Sequence, residues 1–457
     1  FGAGIGVGML TYSTGEPLAH FTNNPDIISG VVDPVAAETI SSAYRYTFLH
    51  WGFAAWATYA LVGLAVGYVA YRRGLPLTIR SGLAPLFGLK MSGFWGHLVD
   101  LVAVVATVLG VAVTMSFGTE QFVAGLSRLG LGDWLLNEAG TASAPAIIIA
   151  LLVLVGASTL SAVSGVGRGI KWLSNLNMAL SFLLLAVFLL FGAGFGGVTL
   201  LFSAIAEYIV TLPGDALTLW TADGTETGDA LAQWQLDWSV FYWAWWIAFA
   251  PFVGMFIARV SRGRTIREYI LGVVLVPSLM CFIWMALAGG TAIELVLDGS
   301  DGGAILDATI SDQLYATLST MFDSGVATLL SGLVVILLTT YLITSADSAI
   351  LIVNTINGAG NDSGSDNEDG AERRHHILFW GAAIALVVGS MLILGGTEAI
   401  RITMILGALP FSLVILLMAL AILKAVLYDV RRMRGGVETH CPVILADAAA
   451  KADPQPT

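Results

Sequence analysis

Apolar stretches long enough to cross a lipid bilayer recur from one end of this chain to the other, and that recurrence restricts the fold more than any other feature. A hydrocarbon core takes about 20 consecutive, mostly apolar residues in a helix to cross. Runs of this kind occupy 1–14, 48–71, 96–117, 145–166, 174–197, 237–258, 268–291, 326–353, 376–396 and 401–428. The first opens at Phe1 inside a glycine-rich apolar segment, so it reads as the interior of a helix with N-terminal sequence missing. Composition agrees: 57% of the residues are hydrophobic before glycine is counted, and 11% are charged, less than half the roughly 25% of soluble domains. With a mean hydropathy of +0.83, these values exclude a soluble globular enzyme, a disordered chain and a nucleic-acid binder. They leave an all-α polytopic membrane protein of ten spans.

Charge sets the orientation. The net charge of −12 does not suit anionic partners and mostly describes the loops; an acidic solvated surface suits high salt. Positive charge gathers on the cytoplasmic side of membrane proteins. If 72–95 is cytoplasmic and the spans alternate, 17 of the 20 Lys and Arg residues share that side, and only Arg45, Arg128 and Arg401 lie opposite. The C-terminus is then cytoplasmic. Two polar connections, 199–235 and 292–325, interrupt the spans. Within the first, 199–213 is amphipathic and suits a short interfacial helix. The acidic segment 360–372 reads as a mobile loop and 435–457 as a disordered tail with little pull on anionic lipid. Cys281 and Cys441 suggest neither a disulfide framework nor a metal site.

Three segments carry candidate chemistry. The opening FGAGIGVGML places Gly2, Gly4, Gly6 and Gly8 at every second position. Glycine costs about 1 kcal/mol per residue in a helix relative to alanine. Four of them favour local unwinding, with backbone groups free to bind a ligand, as in transporters; close helix packing through small residues is the alternative. HWGFAAWATY carries Trp51, Trp56 and Tyr59, and FYWAWWIAFAPF adds Tyr242, Trp243, Trp245, Trp246, Phe249 and Phe252 before a kink expected at Pro251. Interfacial belts also collect Trp and Tyr, but converging indoles suit a quaternary ammonium ligand through cation–π contact. Trp51 lies five residues before Trp56, about 140° away on an ideal helix. In TTYLITSADSAI, Thr344 and Ser345 offer adjacent hydroxyls for Na+, or simply bond back to carbonyls; Asp347 suits a structural or gating role. The basic connector GMFIARVSRGRTIREYI is mostly cytoplasmic charge. No His/Cys/acid cluster or nucleophile elbow suggests an enzyme.

The stretch WAWWIAFAPFVGMFIARVSRGRTIREYILGVVLVPSLMCFIWMALAGGTA closely resembles the signature region of the betaine/choline/carnitine transporter family. FGAGIGVGMLTYSTGEPL, HWGFAAWATYALVGLAVGY and YLITSADS match further family segments in the expected order, and the resemblance extends to about residue 430. It implies a LeuT-type inverted repeat of five plus five helices: 1–197, an external connection with an amphipathic helix at 198–236, 237–428, and a cytoplasmic tail at 429–457. The family's first two helices are then absent. By the same resemblance, Trp51, Trp56, Tyr59 and Trp246 form an ammonium cage and Trp245 lies on the pathway. Phe249 stands where relatives often have another Trp. The Gly4, Gly6 and Gly8 backbone faces a substrate carboxylate. One Na+ site uses Gly2, Ala3, Ile5, Tyr341, Thr344 and Ser345; a weaker second uses Thr107 and Phe252, with Val111 where a threonine is expected.

The expected function is Na+-coupled symport of glycine betaine or a similar zwitterion for osmoprotection, across the plasma membrane, by a homotrimer with no cofactor besides the coupling ion. Choline-type members resemble the first segment but place an aspartate at the position of Gly8, and no Asp or Glu occurs between Phe1 and Gly15. The alternatives are choline or carnitine transport by H+ coupling or exchange, and a sodium-dependent receptor or sensor that does not translocate.

Overall fold

The computed structural model describes residues 2–164, 167–357 and 370–435, so most of the acidic 360–372 segment and the tail beyond 435 lie outside the described residues. Regular structure among these is helical, apart from one bridge between Leu136 and Ala142. The main helices are α1 (Gly2–Thr22), α2 (Thr39–Trp51), α3 (Phe53–Arg73), α4 (Phe94–Arg128), α5 (Ala144–Ser164), α6 (Gly167–Phe191), α7 (Gly194–Asp215), α8 (Glu226–Val260), α9 (Ile266–Leu297), α10 (Ile310–Met321), α11 (Ser324–Asn357) and α12 (Gly370–Arg434).

Among the described residues, nine helical stretches are long and apolar enough to cross a membrane. They differ from the ten expected spans in three places. The run 1–14 is part of α1, which is not among the nine; Thr11, Ser13, Thr14, Glu16 and His20 make it polar, and all five are fully buried. A polar helix is tolerated at membrane depth where protein surrounds it. Runs 376–396 and 401–428 are counted once within α12, yet Gly396, whose φ of 64° leaves the helical region, separates two helices there as expected. The stretch 199–213 belongs to the 22-residue α7, which is among the nine.

The expected interruptions also move. The alternating glycines do not unwind α1, which is helical from Gly2 onward. α8 continues through Pro251, and its irregularity is a π turn at Leu236–Val240. The break in the first half falls at Gly52, between α2 and α3, where φ −90° and ψ −151° stop the helix. A Cβ there would lie 2.5 Å from the Phe48 carbonyl oxygen, so only glycine fits the bend. The Tyr208 hydroxyl, from α7, accepts the Phe53 N–H at 2.8 Å and satisfies a backbone donor that the break releases.

α1 sits inside the bundle against α2, α10, α11 and the middle of α9, while α4 packs against α8, α11 and α12. The outer faces carry large apolar side chains, such as Leu152 and Leu160 on α5 and Leu386, Leu394, Leu406 and Leu409 on α12. Water would penalise these surfaces and hydrocarbon does not.

Candidate functional site

Two helical segments that are far apart in sequence supply an aromatic box. Trp51 ends α2, Trp56 and Tyr59 lie on the first two turns of α3, and Trp246 lies on α8. Without the Gly52 bend, Trp51 and Trp56 would point apart. With it, the Trp246 ring centroid is 6.0 Å from Trp51, 5.4 Å from Trp56 and 5.0 Å from Tyr59. All four rings are buried. These separations are those of ordinary aromatic pairs, so the walls rest on one another in this conformation. Beside Trp56 a cavity of about 410 Å³ opens, lined also by Phe252, Phe256, Arg264, Glu268 and Tyr269.

Hydrogen bonds aim two of the indoles. Trp246 Nε1 donates to the His50 carbonyl at 2.9 Å. Trp51 Nε1 donates to Glu16 Oε2 at 2.5 Å. The other oxygen, Oε1, lies 2.6 Å from His50 Nδ1 and 3.2 Å from His20 Nε2, and all three side chains are fully buried. The sequence reading found no His/acid cluster; this one corrects it. A carboxylate this deep needs several donors to remain charged, and Trp51 is one of them. The signal was present: Glu16 and His20 are ionisable groups four residues apart in a helix of a membrane protein, and His50 adjoins Trp51.

A second aromatic group adjoins the box. Trp245 stacks on Phe241 at 5.5 Å, and its Nε1 donates to Thr114 Oγ1 at 3.2 Å. Tyr12 of α1 lies 6.4 Å from Trp51 and 6.2 Å from Trp245, between Phe117 and Tyr242. Tyr12 and Phe117 were not anticipated; isolated aromatics in apolar runs carry no mark of facing inward. Phe249 pairs with Phe252 at 5.9 Å, and among the described ring contacts it meets none of the tryptophans.

The glycines act here through close packing. A Cβ on Gly8 would lie 2.6 Å from the outer edge of Trp245, and one on Gly6 would lie 2.5 Å from Tyr341. Helical geometry also commits the Gly6 and Gly8 amides to carbonyls four residues back, so they are not open to a substrate carboxylate in this conformation. Gly2, Ala3 and Gly4 belong to the helical backbone of α1, and Ile5 is buried. The Gly6 contact brings α1 beside Tyr341, uniting the two halves of the expected first ion site. There the Thr344 hydroxyl bonds back to the carbonyls of Thr340 at 2.9 Å and Tyr341 at 3.0 Å, and Ser345 is buried. Thr107 likewise donates to the Ala103 carbonyl at 2.8 Å. Gly110, one residue before the buried Val111, faces Phe249 closely enough to place 107–111 at the α4–α8 contact, and Phe249 in turn pairs with Phe252.

Residues 1–431 match the family model described as BCCT, betaine/carnitine/choline family transporter. The chain belongs to this family. It is a multi-pass membrane transporter, not an enzyme. It is 36% identical over 435 residues to a glycine betaine transporter of Bacillus subtilis, covering 95% of this chain and 79% of the relative. An osmo-independent choline transporter of Acinetobacter baylyi is 34% identical over 441 residues, covering 96% of this chain and 79% of the relative. A glycine betaine/proline/choline transporter of Vibrio parahaemolyticus is 33% identical over 446 residues, covering 94% and 75%. Family membership thus makes it a transporter of the betaine/choline type; one of these relatives is named for glycine betaine, one for choline and one for glycine betaine, proline and choline.

Proposed function

We propose that the chain is a secondary active, Na+-coupled symporter of a quaternary ammonium zwitterion of the glycine betaine type, built as a five-plus-five inverted repeat. The observation that supports this most is the convergence of Trp51, Trp56 and Tyr59 on Trp246. A trimethylammonium group has no hydrogen to donate, and aromatic faces within about 6 Å are what attract it. The hydrogen bonds to Glu16 and the His50 carbonyl fix Trp51 and Trp246. The cavity beside Trp56 is also lined by Arg264 and Glu268, which belong to the connector whose arginines mark the cytoplasmic side. It is the exit route in this reading.

Na+ would bind where α1 meets Tyr341, Thr344 and Ser345, with Thr107 and Phe252 as a weaker second site. Assembly as a homotrimer in the plasma membrane, with the C-terminus cytoplasmic, belongs to the same proposal. Choline is the second reading, and one observation favours it: Glu16 places a carboxylate directly behind a box wall, although Gly8 carries none.

Counterflow in proteoliposomes with glycine betaine, carnitine and choline, with Na+ or with K+ alone, tests the whole reading. Exchange of glycine betaine that requires Na+ supports it. Full activity without Na+ at fixed pH overturns the coupling. Choline uptake that glycine betaine does not inhibit overturns the solute. Binding without counterflow overturns transport in favour of a receptor.

A further inference from the structure

We propose that Glu16, His20 and His50 form a binding site for a divalent first-row transition-metal ion of the Zn2+ class. Their ligand atoms lie within 4.8 Å of one another. Glu16 and His20 sit one turn apart on a single face of α1, and His50 comes from the last turn of α2. An oxygen and two imidazole nitrogens are the donor types such ions take.

The atoms behind the ligands are also arranged for a metal. Ligating histidines and carboxylates are usually held by a hydrogen bond on their other polar atom. With His50 Nδ1 on the ion, its Nε2–H would donate to Ser239 Oγ, 3.1 Å away. With Glu16 Oε1 on the ion, Oε2 keeps the Trp51 indole N–H. His20 Nδ1 faces the Asn23 backbone without a hydrogen bond of normal geometry, so its outer partner is the weakest of the three. Tetrahedral coordination with bonds of about 2.0–2.2 Å sets neighbouring ligand atoms roughly 3.3 Å apart. The Glu16–His20 separation of 3.2 Å already fits, and the 2.6 Å Glu16–His50 contact must widen. All three side chains are fully buried, so loading belongs to a conformation in which α1 and α2 part. A bound ion then ties the two helices together behind Trp51 and holds the box closed.

The proposal does not depend on which solute is carried. The purified, chelator-stripped protein is titrated with Co2+ and its ligand-field absorption recorded. One Co2+ per chain in a low-coordinate N/O environment is expected, displaceable by Zn2+. His20→Ala should weaken Co2+ binding by more than about tenfold, while His97→Ala, at an exposed histidine on α4, should leave it unchanged. Zn2+ should also raise the thermal midpoint of the unmodified protein, reversibly with EDTA, which serves if His20→Ala does not fold. No Co2+ spectrum together with no Zn2+-dependent shift, or a spectrum undiminished in a folded His20→Ala, would overturn the site and leave a hydrogen-bonded cluster only.

Discussion

Gly52→Ala puts the bend between α2 and α3 under direct load. The added methyl would lie 2.4 Å from the Tyr208 hydroxyl and 2.5 Å from the Phe48 carbonyl oxygen. Tyr208 could tilt away, but the Phe48 oxygen is backbone, so the bend itself must open. Overpacking of this kind costs typically about 1–3 kcal/mol. The displacement falls between Trp51 and Trp56, whose shared contact with Trp246 depends on the bend. If one box wall loses its grip on the ammonium group, the loss is about 1–2 kcal/mol on the cation–π scale, which is roughly a tenfold rise in KM for glycine betaine. Radiolabelled uptake into proteoliposomes reads that rise, and a thermal shift reads the stability cost. Gly156→Ala, a helical position on α5 with nothing within 4 Å of the new methyl, is the control; it should be neutral or slightly stabilising. Gly52→Ala with unchanged KM and unchanged stability would refute the claim that the bend assembles the box.

Trp246→Leu and Trp56→Leu should each raise KM for a trimethylammonium substrate at least about tenfold; uptake like that of the unmodified protein in both would make these rings packing alone. Gly8→Ala should impair transport, because its methyl meets the far edge of the Trp245 indole at 2.6 Å. Trp245→Phe removes that edge, so the Gly8→Ala/Trp245→Phe double variant should be less impaired than the sum of the single effects. Strict additivity would place the Gly8 effect elsewhere. Thr344→Ala combined with Ser345→Ala should abolish Na+ stimulation of uptake, and stimulation that persists would move the ion away from α11.

By itself the sequence determined the membrane and the helical class, and it marked the two aromatic segments. Apolar length is a local property, so runs such as 96–117 and 326–353 map directly onto α4 and α11. Aromatic density marked HWGFAAWATY and FYWAWWIAFAPF as candidate segments, because rings this crowded exceed what a membrane belt needs, and the family resemblance picked Trp51, Trp56, Tyr59 and Trp246 out of them. What it could not determine was where each helix yields. Gly2–Gly8 looked weaker than Gly52, yet Trp245 and Tyr341 fill the space that the first glycines leave and favour a closely packed helix there. Gly52 can take the bend because it has no Cβ to meet the Phe48 carbonyl oxygen, and Tyr208 from α7 accepts the Phe53 N–H that the break releases. The Glu16–His20 pair was legible as two ionisable groups one helical turn apart, but its meeting with His50, 34 positions from Glu16, was hidden. The Trp246–His50 hydrogen bond spans 196 positions. Spacing along one helix cannot reveal which face meets a partner from another part of the chain; only the packing of α1 against α2 and α8 decides that a buried carboxylate stands behind an aromatic wall.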